Sequence, residues 1–217
     1  MAKTIIVTGA SRGLGHAIAK YLLSAPQSHN VVVLARSVEP LQKLKDEYKG
    51  QVEPFIDYTD IKQATAALPA LRSSKGNIVF VSSGAAVKKY RGWGIYAASK
   101  AALNNLAQTI GCEEPDVTSL AIQPGMVDTE MQRDLREMRG TTLDAEMHSK
   151  FTGAHEGGLL LKPEQPGNVI SKLALNAPKE LTGSFLAYVL RLRFGGNQAN
   201  GRQMERRGSQ GFPGVDS

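Results

Sequence analysis

The chain has 217 residues, of which 41% are hydrophobic and one is cysteine, and its formal net charge is +6. These values predict one globular domain with a sizeable core. They exclude a disulfide-stapled scaffold, and because no apolar run approaches the roughly 20 residues of a membrane span, they also exclude a transmembrane protein. The sequence enters a predicted strand at once, so we expect no signal peptide and a cytoplasmic location.

Half of the net charge comes from residues 191–217, which hold five arginines, two acidic residues and six glycines. This segment shows almost no apolar periodicity, so we expect a disordered tail that follows a domain of residues 1–190. The alternative is a tail that binds nucleic acid, but aromatic and basic residues are not interleaved in it. We therefore expect no nucleic-acid partner.

Apolar runs and helical periodicity alternate along the chain, which predicts an α/β fold with a doubly wound parallel sheet. Pro54 marks the third strand as an edge strand. Ligands of such sheets bind at the carboxyl ends of the strands. We expect strands at 3–8, 31–34, 51–57, 77–81, 117–122 and 183–189, and helices at about 14–23, 39–48, from 60 onward, 96–110 and 166–176.

A glycine-rich loop follows the first strand directly and opens the first helix. Its glycines allow a tight turn and close backbone approach, and the free N–H groups of the helix N-terminus favour a pyrophosphate. A glycine triplet alone is also compatible with an ordinary flexible turn. The position after a strand favours a dinucleotide site, for which the candidate residues are Gly9, Ser11, Arg12, Gly13, Leu14 and Gly15.

The second strand ends at Ala35, Arg36 and Ser37, where sheets specific for NAD carry an acidic residue for the ribose 2′-hydroxyl. Arg36 and the loop residue Arg12 instead suit a 2′-phosphate, because a guanidinium can bind it with two parallel hydrogen bonds. The sequence therefore favours NADP(H). The alternative is that both arginines are merely solvated.

Tyr96 and Lys100 stand at i and i+4 of a predicted helix, with Ser83 thirteen residues before the tyrosine. Phenol and ammonium then project from one helix face, and a cation beside a tyrosine favours the phenolate. Such a tyrosine would exchange a proton near neutral pH, while the serine hydroxyl holds a carbonyl oxygen. This set predicts proton chemistry at a C–O bond.

The glycine loop, the Ser83, Tyr96 and Lys100 set, and the run Pro124-Gly125-Met126-Val127-Asp128-Thr129 resemble the short-chain dehydrogenase/reductase family. Residues 76–85, 92–93 and 99–104 are most similar to its fungal benzil reductase and sepiapterin reductase-like branch, whose members reduce carbonyls with NADPH. The resemblance implies a small hydrophobic carbonyl substrate.

In residue terms, the resemblance implies that Tyr96 is the general acid, that Lys100 is its partner and a ribose ligand, and that Ser83 is the donor to the carbonyl oxygen. It places the cofactor against Pro124, Val127 and Thr129, and the adenine amine near Asp57, although an aspartate at a strand end is also an ordinary cap. The histidines show no metal-ligand spacing, so no metal site is predicted.

Residues 128–163 are rich in methionine, charge and glycine, and the family places its substrate lid there. Adaptable methionines between glycine hinges suit a pocket for varied hydrophobic carbonyls. Two surface helices joined by loops explain the same composition equally well.

Only 25 residues separate Asp57 from Ser83, an interval in which the family fits a helix, a strand ending in Asn-Ala-Gly and a second long helix. One central strand, its flanking helix, the family's relay asparagine and its usual dimer helix therefore look missing. Either the strand at 77–83 moves beside the first strand, or unpaired backbone weakens the sheet. The alternative to an active reductase is an impaired nucleotide-binding chain or a mis-spliced product.

Overall fold

The computed structural model describes residues 3–27, 29–48, 52–55, 60–138 and 144–188. Asp57 and the predicted tail at 191–217 lie outside them. The strands are β1 (Thr4–Thr8), β2 (Asn30–Leu34), β3 (Val52–Phe55), β4 (Asn77–Val81), β5 (Thr118–Gln123) and β6 (Phe185–Ala187). The α-helices are α1 (Gly13–Leu23), α2 (Val38–Glu47), α3 (Asp60–Ser74), α4 (Gly94–Glu113), α5 (Glu130–Glu137), α6 (Ala145–Glu156) and α7 (Glu164–Asn176).

The strands form two three-stranded parallel sheets, in the orders β1-β2-β3 and β4-β5-β6. The α/β class and the parallel pairing predicted from the sequence are therefore confirmed. The edge position predicted from Pro54 is also observed, since β3 pairs with β2 at the end of its sheet.

Between β1 and β4, both of which the structure describes completely, there is no strand pairing. Asn30 N donates to Lys3 O at 2.9 Å, and bonding residues alternate along a parallel ladder. The backbone groups of Thr4, Ile6 and Thr8 therefore point away from β2, toward the β1–β4 gap. This is the position of the strand that the sequence analysis finds missing.

The same rule applies to β4, whose outward-facing residues lie on the other side of the gap. Ser82 N donates to Ile122 O at 2.8 Å, so the carbonyl of the preceding residue, Val81, faces away from β5. The missing helix also leaves a trace, because Ile6 is 48% exposed, whereas central strands of doubly wound sheets are covered on both faces. The gap is thus open both along the strand edges and on one face of β1.

Helices α1 and α7 pack against each other and join the two sheets. A side chain at Gly167 would already touch the methyl group of Ala17, and Ser171 Oγ of α7 donates to Ile18 O of α1 at 3.5 Å. The core beneath them is continuous across both sheets, since it includes Val33 of β2 and Leu120 of β5. The α1–α7 pair therefore holds the two sheets together, as a central strand does in an intact sheet.

Helix α3 is continuous through the point at which the segment is missing, with Pro69 inside it. Near its end Arg72 binds Glu114, the residue that follows α4, through both carboxylate oxygens, with Nε donating to Oε2 at 2.6 Å. The hydrogen bonds from Arg72 hold the pKa of Glu114 below its ordinary value. This ion pair fixes α3 to the end of α4.

We expect Glu114→Gln to lower the melting temperature at pH 7 and to lower it less at pH 3. Folding lowers the pKa of this carboxyl, so the carboxylate stabilises the folded protein at pH values above its pKa in the unfolded chain, about 4.3. The contribution is lost as the pH falls through the pKa of the folded state. Melting curves at both pH values test this. Glu113→Gln, an exposed neighbour, is the matched control, and an equal loss in both variants or at both pH values would contradict the assignment.

Candidate active site

The glycine loop after β1 has the backbone shape that the sequence predicts. Gly9 and Gly13 adopt left-handed φ angles of 66° and 56°, which side chains with a Cβ rarely tolerate. A Cβ on Gly15 would collide with the carbonyl of Gly9, while the space beside Gly9 itself is empty. The loop is therefore tight on its inner side and open to close approach on its outer side.

Helix α1 begins inside this loop, with Arg12 as its N-cap and no side-chain hydrogen bond to the first turn. The N–H groups of that turn remain available for an anion. Ser11 is half-buried, and Leu14 packs against the core, so Leu14 also anchors the helix. An open Gly9 and an uncapped helix N-terminus fit the pyrophosphate of a dinucleotide.

The end of β2 lies beside the loop, since Ala10 N donates to Leu34 O at 3.1 Å. Ala35 is buried, whereas Arg36 and Ser37 are exposed. The structure thus places a cation, and no acidic residue, at the turn after β2.

Arg12 is occupied in a way that the sequence did not indicate. Its guanidinium forms an ion pair with Glu130 at the start of α5, and both side chains are more than half exposed. Such exposed pairs contribute little stability. Arg12 can therefore exchange Glu130 for another anion. Arg36, which is exposed after β2, does not have to give up this ion pair to bind a phosphate.

Ser83 is the second residue after β4 and opens a short 3₁₀ turn, Gly84–Ala86. Its Oγ accepts a hydrogen bond from Ala85 N at 3.2 Å, which leaves the hydroxyl hydrogen for donation. The side chain is half-buried. A carbonyl oxygen is a suitable acceptor for that hydrogen.

Tyr96 and Lys100 lie on α4 as predicted, with Lys100 Nζ 5.8 Å from the centre of the Tyr96 ring. Nζ also donates to Val81 O at 2.9 Å, the carbonyl that faces the β1–β4 gap. Ser82 Oγ donates to Lys100 O at 3.2 Å and so ties α4 to the end of β4. An ammonium has three hydrogens, and the bond to Val81 O occupies one of them.

The residues after β5 complete this edge of the sheet. Pro124 follows the strand, Val127 is buried, and Thr129 Oγ1 donates to Val127 O at 3.4 Å. The methyl group of Thr129 lies 3.3 Å from the place that a side chain on Gly13 would take. The β5 turn and the glycine loop are therefore in direct contact.

Two aromatic residues near Tyr96 were not predicted as site residues, although Trp93 belongs to the stretch 92–93 that carries the family resemblance. The rings of Trp93 and Tyr96 meet edge to face with centroids 5.1 Å apart, and Phe151 of α6 contacts Trp93 at 5.7 Å. The signal for Trp93 is its position three residues before Tyr96, a spacing that places two side chains on the same face of a helix. Nothing local identifies Phe151. The region 128–163 contains the two helices α5 and α6 that the alternative interpretation expected.

In the part of the chain that the structure describes, no group of His, Cys, Asp and Glu side chains is arranged to hold a metal ion. No helix within the same described residues is long and apolar enough to span a membrane.

The match to a known family covers this chain in two segments, which divide where the two sheets divide. The family model described as short chain dehydrogenase matches residues 3–66 and 59–140. The chain belongs to this family. The two matched segments overlap at residues 59–66, and α3 begins at Asp60 within this overlap. The strand–helix unit is missing at this point, and the chain shares its fold with oxidoreductases.

The chain is 34% identical to a benzil reductase ((S)-benzoin forming) of Saccharomyces cerevisiae over 253 residues, with 87% of this chain and 96% of the relative covered. This alignment is longer than the chain itself, so the relative contains segments that this chain lacks. Among solved structures, a short chain dehydrogenase/reductase from the same yeast has a TM-score of 0.81 at 32% identity and covers 86% of this chain and 96% of its own. Another, described as a cytoplasmic protein with unknown function from S. cerevisiae, has a TM-score of 0.67 at 30% identity, with 86% and 96% covered.

Proposed function

We propose that the chain is an NADPH-dependent carbonyl reductase that converts a ketone or diketone to an alcohol with Ser83, Tyr96 and Lys100. The observation that carries the proposal is the arrangement of these residues: Lys100 and Tyr96 face each other on α4, and Ser83 at the end of β4 keeps a hydrogen to donate. The benzil reductase among its relatives supports the diketone.

The cofactor would be held by the glycine loop and the α1 N-terminus at its pyrophosphate, by Arg36 at its 2′-phosphate, and by Val127 and Thr129 beside its nicotinamide. When bound, it supplies the hydride. Ser83 would donate a hydrogen bond to the substrate's carbonyl oxygen. Tyr96 would give that oxygen a proton, and the charge of Lys100 would stabilise the phenolate that remains.

The substrate would be small and hydrophobic. Met131 and Met138, on and just after α5, are 61% and 45% exposed, and flexible thioether side chains adapt to varied apolar shapes. Their position in the segment between the β5 turn and α7 supports a lid role. A cytoplasmic location is part of the proposal, supported by the description of one structural neighbour.

Thermal melting with and without NADPH, followed by NADPH oxidation with benzil, tests the proposal. A ligand that binds only the native state adds about 2.7 kcal/mol at 100 times its Kd, so we expect an upward shift of a cooperative melt and turnover that depends on benzil. A chain that melts without any shift would contradict the cofactor site. A shift without turnover would contradict the reductase.

Arg36→Asp should weaken binding of NADPH by on the order of tenfold or more and should affect NADH little. The change removes a partner of the 2′-phosphate and adds a carboxylate that repels it but accepts from a free 2′-hydroxyl. The ratio of the two Kd values measures the effect. Lys172→Asp, the same charge change on an exposed face of α7, is the control. An equal loss with both cofactors would make Arg36 an ordinary surface residue.

A second candidate is a chain that binds the dinucleotide but turns over poorly. It is favoured by the bond from Lys100 Nζ to Val81 O, which holds the ammonium at the β1–β4 gap. An intact sheet would offer that carbonyl a strand N–H instead. This candidate predicts NADPH stabilisation with benzil reduction near the background rate.

A further inference from the structure

Helix α6 contacts the loop before α4 through two consecutive side chains. Phe151, which is 8% exposed, lies against the indole of Trp93 with ring centroids 5.7 Å apart at 32°. The ammonium of Lys150 lies 5.5 Å from the centre of the Tyr90 ring, within reach of a cation–π contact. These contacts hold α6 on the segment 90–93.

The same indole contacts the proposed proton donor. The ring of Trp93 meets that of Tyr96 at 5.1 Å and 86°, an edge-to-face geometry that aromatic pairs prefer. A continuous row of rings therefore runs from Phe151 through Trp93 to Tyr96. A shift of Phe151 removes a ring that packs against the indole on the side of α6.

Helices α5 and α6 are connected so that Phe151 cannot move alone. Buried Gln132 of α5 donates from Nε2 to Phe151 O at 3.3 Å, and His148 Nε2 is hydrogen-bonded to Arg136 O at 2.8 Å. The two helices form one α5–α6 unit, and its position determines that of the Phe151 ring.

The contact carries a cost. The indole Nε1 of Trp93 is buried and has no hydrogen-bond acceptor among the described residues, and a buried unpaired donor opposes the state that buries it. Movement of the α5–α6 unit away from Trp93 would expose this N–H to water. Ring packing thus favours the docked unit, and the orphan N–H opposes it.

We propose that Trp93 is a positioning residue through which the docked α5–α6 unit sets the orientation of the Tyr96 phenol. The inference rests on the proposed reductase function. In the docked state the ring of Tyr96 has one rotational setting, and its hydroxyl is aimed for proton transfer. In the undocked state the ring is free to turn, and fewer encounters with substrate are productive, because small misplacement of a reacting group costs rate steeply.

The test uses the fluorescence of Trp93, which is the single tryptophan of the chain. In full-length protein without cofactor, Phe151→Leu should shift the emission to longer wavelength and raise acrylamide quenching, because the indole loses its cover. With NADPH and benzil, the same variant should lose on the order of tenfold in kcat, with KM and the NADPH-induced melting shift nearly unchanged. Met147→Leu, equally buried on α6 but with no ring against Trp93, should match wild type in every measurement.

Rescue separates positioning from folding. Phe151→Tyr retains a ring and should restore both the emission and most of the kcat. Unchanged emission in Phe151→Leu would overturn the docking, and a changed emission with wild-type kcat would overturn the positioning role alone. A kcat loss shared by Met147→Leu, or matched by a lower folded fraction in melting, would also overturn it. If wild type itself reduces no benzil, the reductase proposal fails, and the role of Trp93 toward Tyr96 fails with it.

Discussion

Replacement of Tyr96 by Phe is expected to lower kcat for benzil reduction by about a hundredfold or more, with the Kd for NADPH changed less than about twofold. The substitution removes only the hydroxyl that gives the proton, and general acid catalysis contributes roughly 10²–10⁴. The phenylalanine ring retains the edge-to-face contact that Tyr96 makes with Trp93 at 5.1 Å. Single-turnover kinetics and NADPH titration measure the two effects separately.

Two further variants sharpen this result. Tyr21→Phe, on α1, removes a hydroxyl outside the proposed site and should leave both quantities unchanged. Lys100→Met should lower both kcat and NADPH affinity, because in the proposed mechanism the ammonium serves both the tyrosine and the ribose. It should also reduce stability, since Val81 O loses the donor that lies 2.9 Å away. Full turnover in Tyr96→Phe would defeat the assignment of the general acid.

Restoring the missing strand–helix unit should raise both stability and activity. We expect insertion of the corresponding segment of the yeast benzil reductase between Asp60 and Ala67 to add at least a few kcal/mol to the free energy of unfolding. Each backbone group at the open gap that gains a strand partner contributes a net of about 0.5–1.5 kcal/mol, and β1 and β4 both present such groups to the gap. The insertion should also raise kcat/KM at least about tenfold. The restored strand would pair with Val81 O in place of Lys100, and its end would line the proposed cofactor site.

Urea denaturation and NADPH oxidation with benzil measure the two effects. The control carries a glycine–serine segment of the same length at the same place, which lengthens the chain without supplying a strand. Gel filtration of the restored protein additionally shows whether the dimer helix brings two chains together. If the 217-residue chain reduces benzil as fast as the restored one, the unit is dispensable for catalysis.

Local sequence patterns were sufficient for most elements, whereas the roles of the candidate site residues stay predictions. The apolar run at 31–34 and the helical spacing at 96–110 became β2 and α4, with α4 beginning at Gly94 and ending at Glu113. Glycine spacing predicted the turn at residues 9–15, because left-handed φ angles and close approach are properties of the residue itself. Ser83 comes shortly after β4, and helical spacing places Tyr96 and Lys100 about one turn apart on α4.

The sequence left two outcomes open for the strand at 77–83, and long-range contacts decide between them. Asn77 Nδ2 donates to Ala174 O at 3.0 Å, and α7 packs on both β4 and α1. These contacts keep β4 away from β1, so the sheet remains open. No local pattern encodes a contact between residues almost a hundred positions apart.

The partners of the site's charged and aromatic side chains were equally beyond local reasoning. Arg12 meets Glu130 across 118 positions, and Trp93 meets Phe151 across 58 positions of sequence. Lys100 donates to Val81 O at a position where the missing strand would otherwise pair with this carbonyl. Such pairings arise from tertiary packing, which a single sequence shows only after the fold is known.

The packing of α1 on α7 has a consequence for the order in which the protein is made. Residues 13–23 emerge from the ribosome well before their partner at 164–176. Until then α1 lacks the helix that packs against it, and the edge of β1 is open to pairing with another chain. In an intact relative the next strand covers this edge, whereas here no described strand lies beside β1 on the gap side even in the folded chain. Its yield in cells will therefore depend on chaperones that shield the first half during translation.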